Sequence, residues 1–377
     1  MDFGSGFVVK ASWVVLFFKL MLSDHFYVEG WGNVITWDDV KLDEHDYVMV
    51  SRRLRRFDHK WGFVAEENDG GRIRNDQFIV VDGNGRGDSA TVQGAVDMVP
   101  EANSRRVKIY VLPGIYREKL VIPASKPYIS LIGNENQANQ TVITWGDKAS
   151  DIAKDGTVLG TYRSASVTVL SDYFCASGIT FENSVDAVVG GIGMQAVALR
   201  IAGDKAMFNG VRILGTQDTL LDDIGSHYFY QSYIEGTVDF IFGRARSIYK
   251  DCVVHSATKT FGAIAAHHRD SPYDDTGFSF INCTINGSGK VLLGRAWGNY
   301  SRIIYSYCDI DDIISPPGWS DWGFPSRDRT AVFGEYECRG KGADRTYRAP
   351  WSKSLSYYEA KPFLDMGFIS AEKWLSL

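Results

Sequence analysis

From Phe78 onward, short runs rich in β-branched and aromatic residues alternate with Gly, Asn, Asp and Pro. QFIVV (77–81), VKIYVL (107–112), YISLIG (128–133), TVIT (141–144) and SVTVL (166–170) each read as one short strand. One segment has a helical period instead: TVQGAVDMV predicts a short helix over 92–99. No long 3.6-residue period follows it. Many short strands bounded by turn residues predict an all-β domain over residues 76–377.

A phrase recurs along that domain: GITFEN (178–183), GVRILG (210–215), SYIEG (232–236), CVVHS (252–256), CTING (283–287) and CDIDD (308–312). Taking Ile179, Val211, Ser232, Cys252, Cys283 and Cys308 as phase markers gives spacings of 32, 21, 20, 31 and 25 residues. A variable period of about 20–30 residues, with one strand phrase per turn, predicts a parallel β-helix with loops of unequal length. Cys252, Cys283 and Cys308 then stack on successive coils. Neighbouring strands lie about 4.8 Å apart, within the Cα range of a disulfide. A Cys252–Cys283 bridge and a ladder of buried free thiols both fit, and the ladder is the preferred reading.

The same phase brings two acids together. Asp218 follows Val211 by seven residues, and Asp239 follows Ser232 by seven. They are one coil apart and on the same face. Two carboxyl groups that close do not both ionise readily, so one pKa is expected to rise. The pair would then hold a protonated acid beside an ionised carboxylate.

Residues 7–22 are apolar apart from Lys10 and Lys19. Lys10 followed by Ala11–Phe18 makes 1–24 a candidate signal peptide, although Asp2 and the lack of a small-x-small cleavage site count against it. Residues 25–75 read as a polar, poorly ordered leader, its SRRLRRF stretch (51–57) a solvated charge run. No segment reaches the roughly 20 apolar residues that a membrane-spanning helix needs. With 45% hydrophobic and 23% charged residues the chain is globular. A net charge of −6 disfavours nucleic-acid binding. None of the five cysteines forms a C-x-x-C pair, which argues against a zinc ribbon. Four sequons, at Asn139, Asn282, Asn286 and Asn299, matter only in a secreted chain.

Five segments carry the chemistry: GIYRE (114–118), QAVALR (195–200), GTQDTLL (215–221), GTVDFIFGRA (236–245) and LLGRAWGNYSR (292–302). Together and in this order they resemble the pectinesterases, over about Phe78 to Leu377. The likeness is greatest to plant members without the inhibitor-like helical pro-domain, since no cysteine precedes Cys175 and 23–75 does not read as a four-helix bundle. The resemblance implies a right-handed, single-stranded parallel β-helix of the pectin lyase-like type. It implies hydrolysis of galacturonate C6 methyl esters in homogalacturonan, releasing methanol, with no metal or other cofactor. It also implies a secreted monomer in the plant cell wall, with a proteinaceous inhibitor as a partner and neither nucleic acid nor membrane.

By the same resemblance Asp239 is the nucleophile and Asp218 the general acid/base. Gln195 is the oxyanion-hole donor with Gln217 as helper, and Arg295 holds the nucleophile. These roles agree with ordinary chemistry: carboxylates attack and shuttle protons, and amide N–H groups stabilise an oxyanion without titrating. Trp297, Trp319, Thr161 and Tyr162 are expected to line the sugar groove, where rings stack on pyranose faces. Tyr116 and Glu118 read as structural support.

Three departures stand out. Ala296 replaces the proline of the common LGRPW, and Leu221 replaces a groove tyrosine. The segment IAAHHRD (264–270) introduces His267 and His268, which could add pH dependence near 6.5. A polygalacturonase would need an acid and base around a glycosidic bond. A pectate lyase would need a calcium cluster. A non-catalytic wall-binding protein would not need the five catalytic positions.

Overall fold

In the computed structural model, residues 34–58, 78–187 and 191–377 are described. The candidate signal peptide lies outside them. Among the described residues, no helix is long and apolar enough to cross a membrane.

The strand runs pair in parallel from one coil to the next, and each coil contributes to as many as three faces. The first face is an 11-stranded sheet running from Phe78–Val81 to Lys353–Ser354. The second includes Thr180–Asn183, Arg212–Leu214 and Tyr233–Gly236. The third includes Leu199–Ile201, Leu220–Asp222 and Val238–Gly243. Two long strands, Val253–His267 and Thr284–Ala296, bend across the second and third faces and join them. This is the parallel β-helix expected from the repeat.

The repeat has a backbone cause. Gly178, Gly210, Gln231, Asp251, Asn282, Tyr307 and Glu337 all turn the corner between the first and second faces with φ between 47° and 58°. Each phase marker, from Ile179 to Cys308 and on to Cys338, is the residue after such a corner. The cysteines stack as predicted, and all five thiols are free.

Inside the coils, side chains stack on their counterparts one coil away. Phe208, Phe229, Tyr249, Phe280 and Tyr305 form a continuous column with ring centroids 4.5–4.7 Å apart. Tyr249 and Tyr305 bring hydroxyls into this apolar column, and each donates a hydrogen bond, to Asp222 Oδ2 at 2.6 Å and to the Leu293 carbonyl at 2.9 Å. A buried tyrosine without such an acceptor would be destabilising.

The helix Val92–Met98 buries Val92, Ala95 and Val96. Its N-terminal amides are taken by Glu118, which accepts from Val92 N and Gln93 N at 2.8 Å each. Tyr116 donates to the Leu112 carbonyl at 2.9 Å. The GIYRE segment is therefore a cap and clamp, in line with its structural reading.

Residues 34–58 depart from the expected poorly ordered leader. Ile35–Thr36 pairs in parallel with Leu375–Ser376. Ile35 and Trp374 are buried there against Met207, Tyr228 and Ile248 on the outer side of the first face. The helix Glu44–Asp58 places Met49 and Val50 against Phe78, Val80 and Ile132. Its charged residues hid a narrow apolar stripe. Two of its polar residues are also anchored, Asp46 to Lys108 Nζ at 2.7 Å and Arg53 to Asp88.

The aromatic column yields a stability prediction. Phe280→Ala opens a cavity between two stacked rings and should cost about 3–5 kcal/mol. Tyr273→Ala, at a residue 93% exposed, should stay within about 0.5 kcal/mol of wild type. Denaturant unfolding compares them, and equal midpoints would contradict the column's role.

Candidate active site

Asp218 and Asp239 precede and begin paired strands on adjacent coils of the third face. The strand pairing runs Leu220↔Ile241, Leu221↔Phe242 and Asp222↔Gly243. Asp218 N donates to the Val238 carbonyl at 3.1 Å. Both acids occupy the left-handed region, φ 62° and 47°. Such strain in a non-glycine residue is tolerated only where surrounding structure holds it. A register shift between Val238 and Ile241 leaves Asp239 inside an irregularity of its strand, a device that re-aims a side chain. Gly236 is required just before it, because a Cβ there would lie 2.2 Å from Phe240 Cβ.

Arg295 reaches Asp239 with both arms of its guanidinium. Nε donates to Oδ1 at 2.8 Å and Nη2 donates to Oδ2. The Trp322 ring covers the other side, its centroid 3.7 Å from the guanidinium carbon. Gln195 and Gln217 come from adjacent coils, joined by the bond from Ala196 N to the Gln217 carbonyl at 3.0 Å. A cleft of about 280 Å³ is lined by Gln195, Gln217, Asp218, Asp239 and Arg295. Thr161, Tyr162, Phe242, Ala266, Trp297 and Trp322 complete its wall.

The electrostatics separate the two acids. Shielding from solvent raises the Asp218 pKa well above the carboxylate range, and the neighbouring Asp239 adds to the rise. Burial also pushes Asp239 above the usual carboxylate value, and the Arg295 fork offsets only part of that rise. Asp239 is therefore the first of the pair to ionise, and Asp218 keeps its proton.

Eight of the nine residues singled out from the sequence meet in this cleft. Trp319 does not. It is 3% exposed, packs between Tyr305 and Phe333, and donates from Nε1 to Glu335 Oε1 at 3.3 Å. Register explains the error: Ser320 pairs with Arg295 and shares its outward face, so Trp319, paired with Gly294, turns inward. The turn after it, with Trp322 at φ 63°, brings the second tryptophan of PPGWSDW to the cleft. The pairing of Ser320 with Arg295, not the sequence itself, separates the two tryptophans.

Phe242 and Ala266 were also missed, though both share the row of Leu221 and Arg295. Leu221 is buried with Ala165, Val197, Phe242 and Ala266 in an apolar patch against which Trp297 and Trp322 pack. It supports the cleft floor where a tyrosine was expected. Ala296 is buried, and its substitution leaves Arg295 and Trp297 in place. His267 is fully buried. It accepts from Arg302 N at Nδ1, its Nε2 faces the Ala245 carbonyl, and burial pushes its pKa down to about 3. It stays neutral across the range in which pH dependence was expected of it. Among the described residues, no group of three His, Cys, Asp or Glu is arranged to hold a metal ion.

The pectinesterase family model matches residues 78–372. The chain belongs to the pectinesterase family. Pectinesterase QRT1 of Arabidopsis thaliana is 59% identical over 345 residues, covering 92% of this chain and 90% of that protein. Among solved structures, pectin methylesterase from carrot is 33% identical with a TM-score of 0.71, covering 78% of this chain and 94% of the other. Pectin methylesterase from Aspergillus niger is 28% identical with a TM-score of 0.67, covering 80% and 96%. As a pectinesterase, the chain is an enzyme that hydrolyses pectin methyl esters.

The Arg295–Asp239 contact predicts a titration. Arg295→Gln removes the group that lowers the Asp239 pKa, so that carboxyl should hold its proton to higher pH than in wild type. Carboxyl-labelled aspartate followed by NMR reads the shift directly. An unchanged Asp239 titration would refute the assignment of Arg295 as its counter-charge.

Proposed function

We propose that Asp239 is the nucleophile of pectin demethylation and Asp218 its general acid and base. The observation that carries the reading is the fork of Arg295 on Asp239 with the buried Asp218 one coil away. The Asp239 carboxylate attacks the C6 ester carbonyl, and the carbonyl π electrons move onto oxygen. The amides of Gln195 and Gln217 donate to that oxyanion, which strengthens as charge develops. Asp218 gives its proton to the departing methoxide, and methanol leaves an acyl anhydride on Asp239. Asp218, now ionised, takes a proton from water as that water attacks the acyl carbon. The acid is released, Asp239 is regenerated as carboxylate, and Asp218 again carries a proton.

No step calls for a metal or an organic cofactor. The apolar floor of Phe242 and Ala266, backed by the buried Leu221, suits a neutral methyl ester better than a charged carboxylate. Trp297, Trp322, Thr161 and Tyr162 would hold the sugar. The setting we propose is the plant cell wall, reached by secretion, with the enzyme acting as a monomer and open to a proteinaceous inhibitor.

The test is methanol release from highly methylated pectin with viscosity followed in parallel. Wild type should release methanol at constant viscosity. Asp239→Ala should lose roughly 10³-fold or more of kcat, and Gln195→Ala about 10²-fold. Rapid thinning of the solution would indicate backbone cleavage instead, and full activity of Asp239→Ala would remove the nucleophile assignment.

A further inference from the structure

Away from the cleft lies a larger concavity, of about 560 Å³, at the corner between the first and second faces. Asn209 comes from the end of a first-face strand, and Gln231 from the corner of the next coil. Arg212 and Tyr233 are paired neighbours on the second face. Gln137 and Asn139 close the groove from the loop before the strand Thr141–Trp145. That loop is held in place: Thr180 Oγ1 donates to the Ala138 carbonyl at 2.8 Å, and Gln140 N to the Gln137 carbonyl at 2.9 Å. The groove shares no residue with the catalytic cleft.

Its polar lining is left without internal partners. Among the described residues, the side chains of Asn139, Asn209 and Gln231 and the guanidinium of Arg212 make no hydrogen bond or ion pair. Arg212 instead lies over Tyr233, its guanidinium carbon 4.4 Å from the ring centroid. Amide and guanidinium donors around a ring suit a ligand with hydroxyl edges and an apolar face, which is a sugar. Asn139 also begins one of the four sequons, Asn139-Gln140-Thr141, and the structure separates it from the other three. Asn282 donates from Nδ2, the atom a glycan would occupy, to Asp251 Oδ1 at 2.7 Å. Asn286 Oδ1 accepts from His255 Nδ1 at 2.8 Å, and Asn299 Oδ1 from Arg327 Nε at 3.3 Å. Asn139 alone of the four is exposed with a side chain that makes no hydrogen bond.

We propose that Asn139 carries an N-linked glycan whose first sugars lie in this groove. In the attachment, Asn139 Nδ2 bonds to the anomeric carbon of an oligosaccharide carried on a lipid diphosphate. The bond from that carbon to the diphosphate oxygen breaks, the diphosphate leaves with the electron pair, and the amide gives up one proton. The strand after Asn139 is two strands from Arg212 and three from Tyr233. At about 4.8 Å per strand these side chains stand about 10 and 14 Å along the coil axis. The sugars therefore run from Asn139 across Arg212 to Tyr233, with Asn209 and Gln231 donating to their hydroxyls. The proposal shares with the setting above an entry into the secretory pathway, and it does not depend on the chemistry of the cleft.

The test uses the full chain made in plant cells, with its glycans kept in the oligomannose form. Glycopeptide mass spectrometry should find Asn139 modified, and Asn139→Gln should lose that glycan. Release of the Asn139 glycan from the native protein is then timed with an endoglycosidase that cuts between the first two sugars. Arg212→Gln/Tyr233→Ala should speed release about 3- to 10-fold over wild type, and the two rates should become equal once both proteins are denatured. Methanol release should be unchanged in this variant. If it is lost with the fold, Gln231→Ala supplies the same comparison. An unmodified Asn139 would overturn the site. A modified Asn139 whose glycan is released equally fast from native wild type and variant would overturn its seat in the groove.

Discussion

The parallel register between successive coils is the constraint on which the rest depends. It sets neighbouring strands about 4.8 Å apart and repeats each side-chain position at that spacing. In the interior the repetition produces the column from Phe208 to Tyr305. On the third face it sets Asp218 against Asp239 and lines up Leu221, Phe242, Ala266 and Arg295 across four coils. The same stacking that is favourable for rings is unfavourable for two carboxylates. Two features resolve that conflict: Arg295 comes from a later coil to hold Asp239, and Asp218 retains its proton. The active site is a place where the repeat would be destabilising if left uncompensated.

Much of this was legible because the repeat has a local origin. A left-handed corner residue precedes each phase marker, and corners draw Gly, Asn and Asp, which leave a trace in sequence. Gln231, Tyr307 and Glu337 occupy the same conformation without that trace, so the markers, not the corners, had to be read. Once phase was known, Asp218 and Asp239 followed by counting, and the family motifs supplied Gln195, Gln217 and Arg295.

What escaped depended on parity and on tertiary contacts. Trp319 and Trp322 are both tryptophans in one short motif, and composition alone cannot separate a core ring from a cleft ring. Only the pairing of Ser320 with Arg295 decides it. His267 and His268 are adjacent in sequence but face opposite environments: one is sealed among backbone partners, while the other packs on Trp297 and faces Asp270. The helix Glu44–Asp58 was hidden because its few apolar residues form a stripe whose partner surface, Phe78, Val80 and Ile132, lies far along the chain. Local propensity is a weak guide where packing against distant residues supplies most of the helix stability.

The charge distribution around the cleft has a common logic. Asp239 has one guanidinium in close register, Asp218 has none, and Asp223 lies between two. The reacting position is thereby close to neutral, and an incoming ester does not have to displace a counter-ion. A carboxylate held at that position would face ionised Asp239 across an apolar floor, an arrangement that burial makes worse. In the mechanism proposed above, the product is therefore disfavoured where it forms. In that mechanism, Asp239 without Arg295 would hold its proton to higher pH and would be the poorer nucleophile.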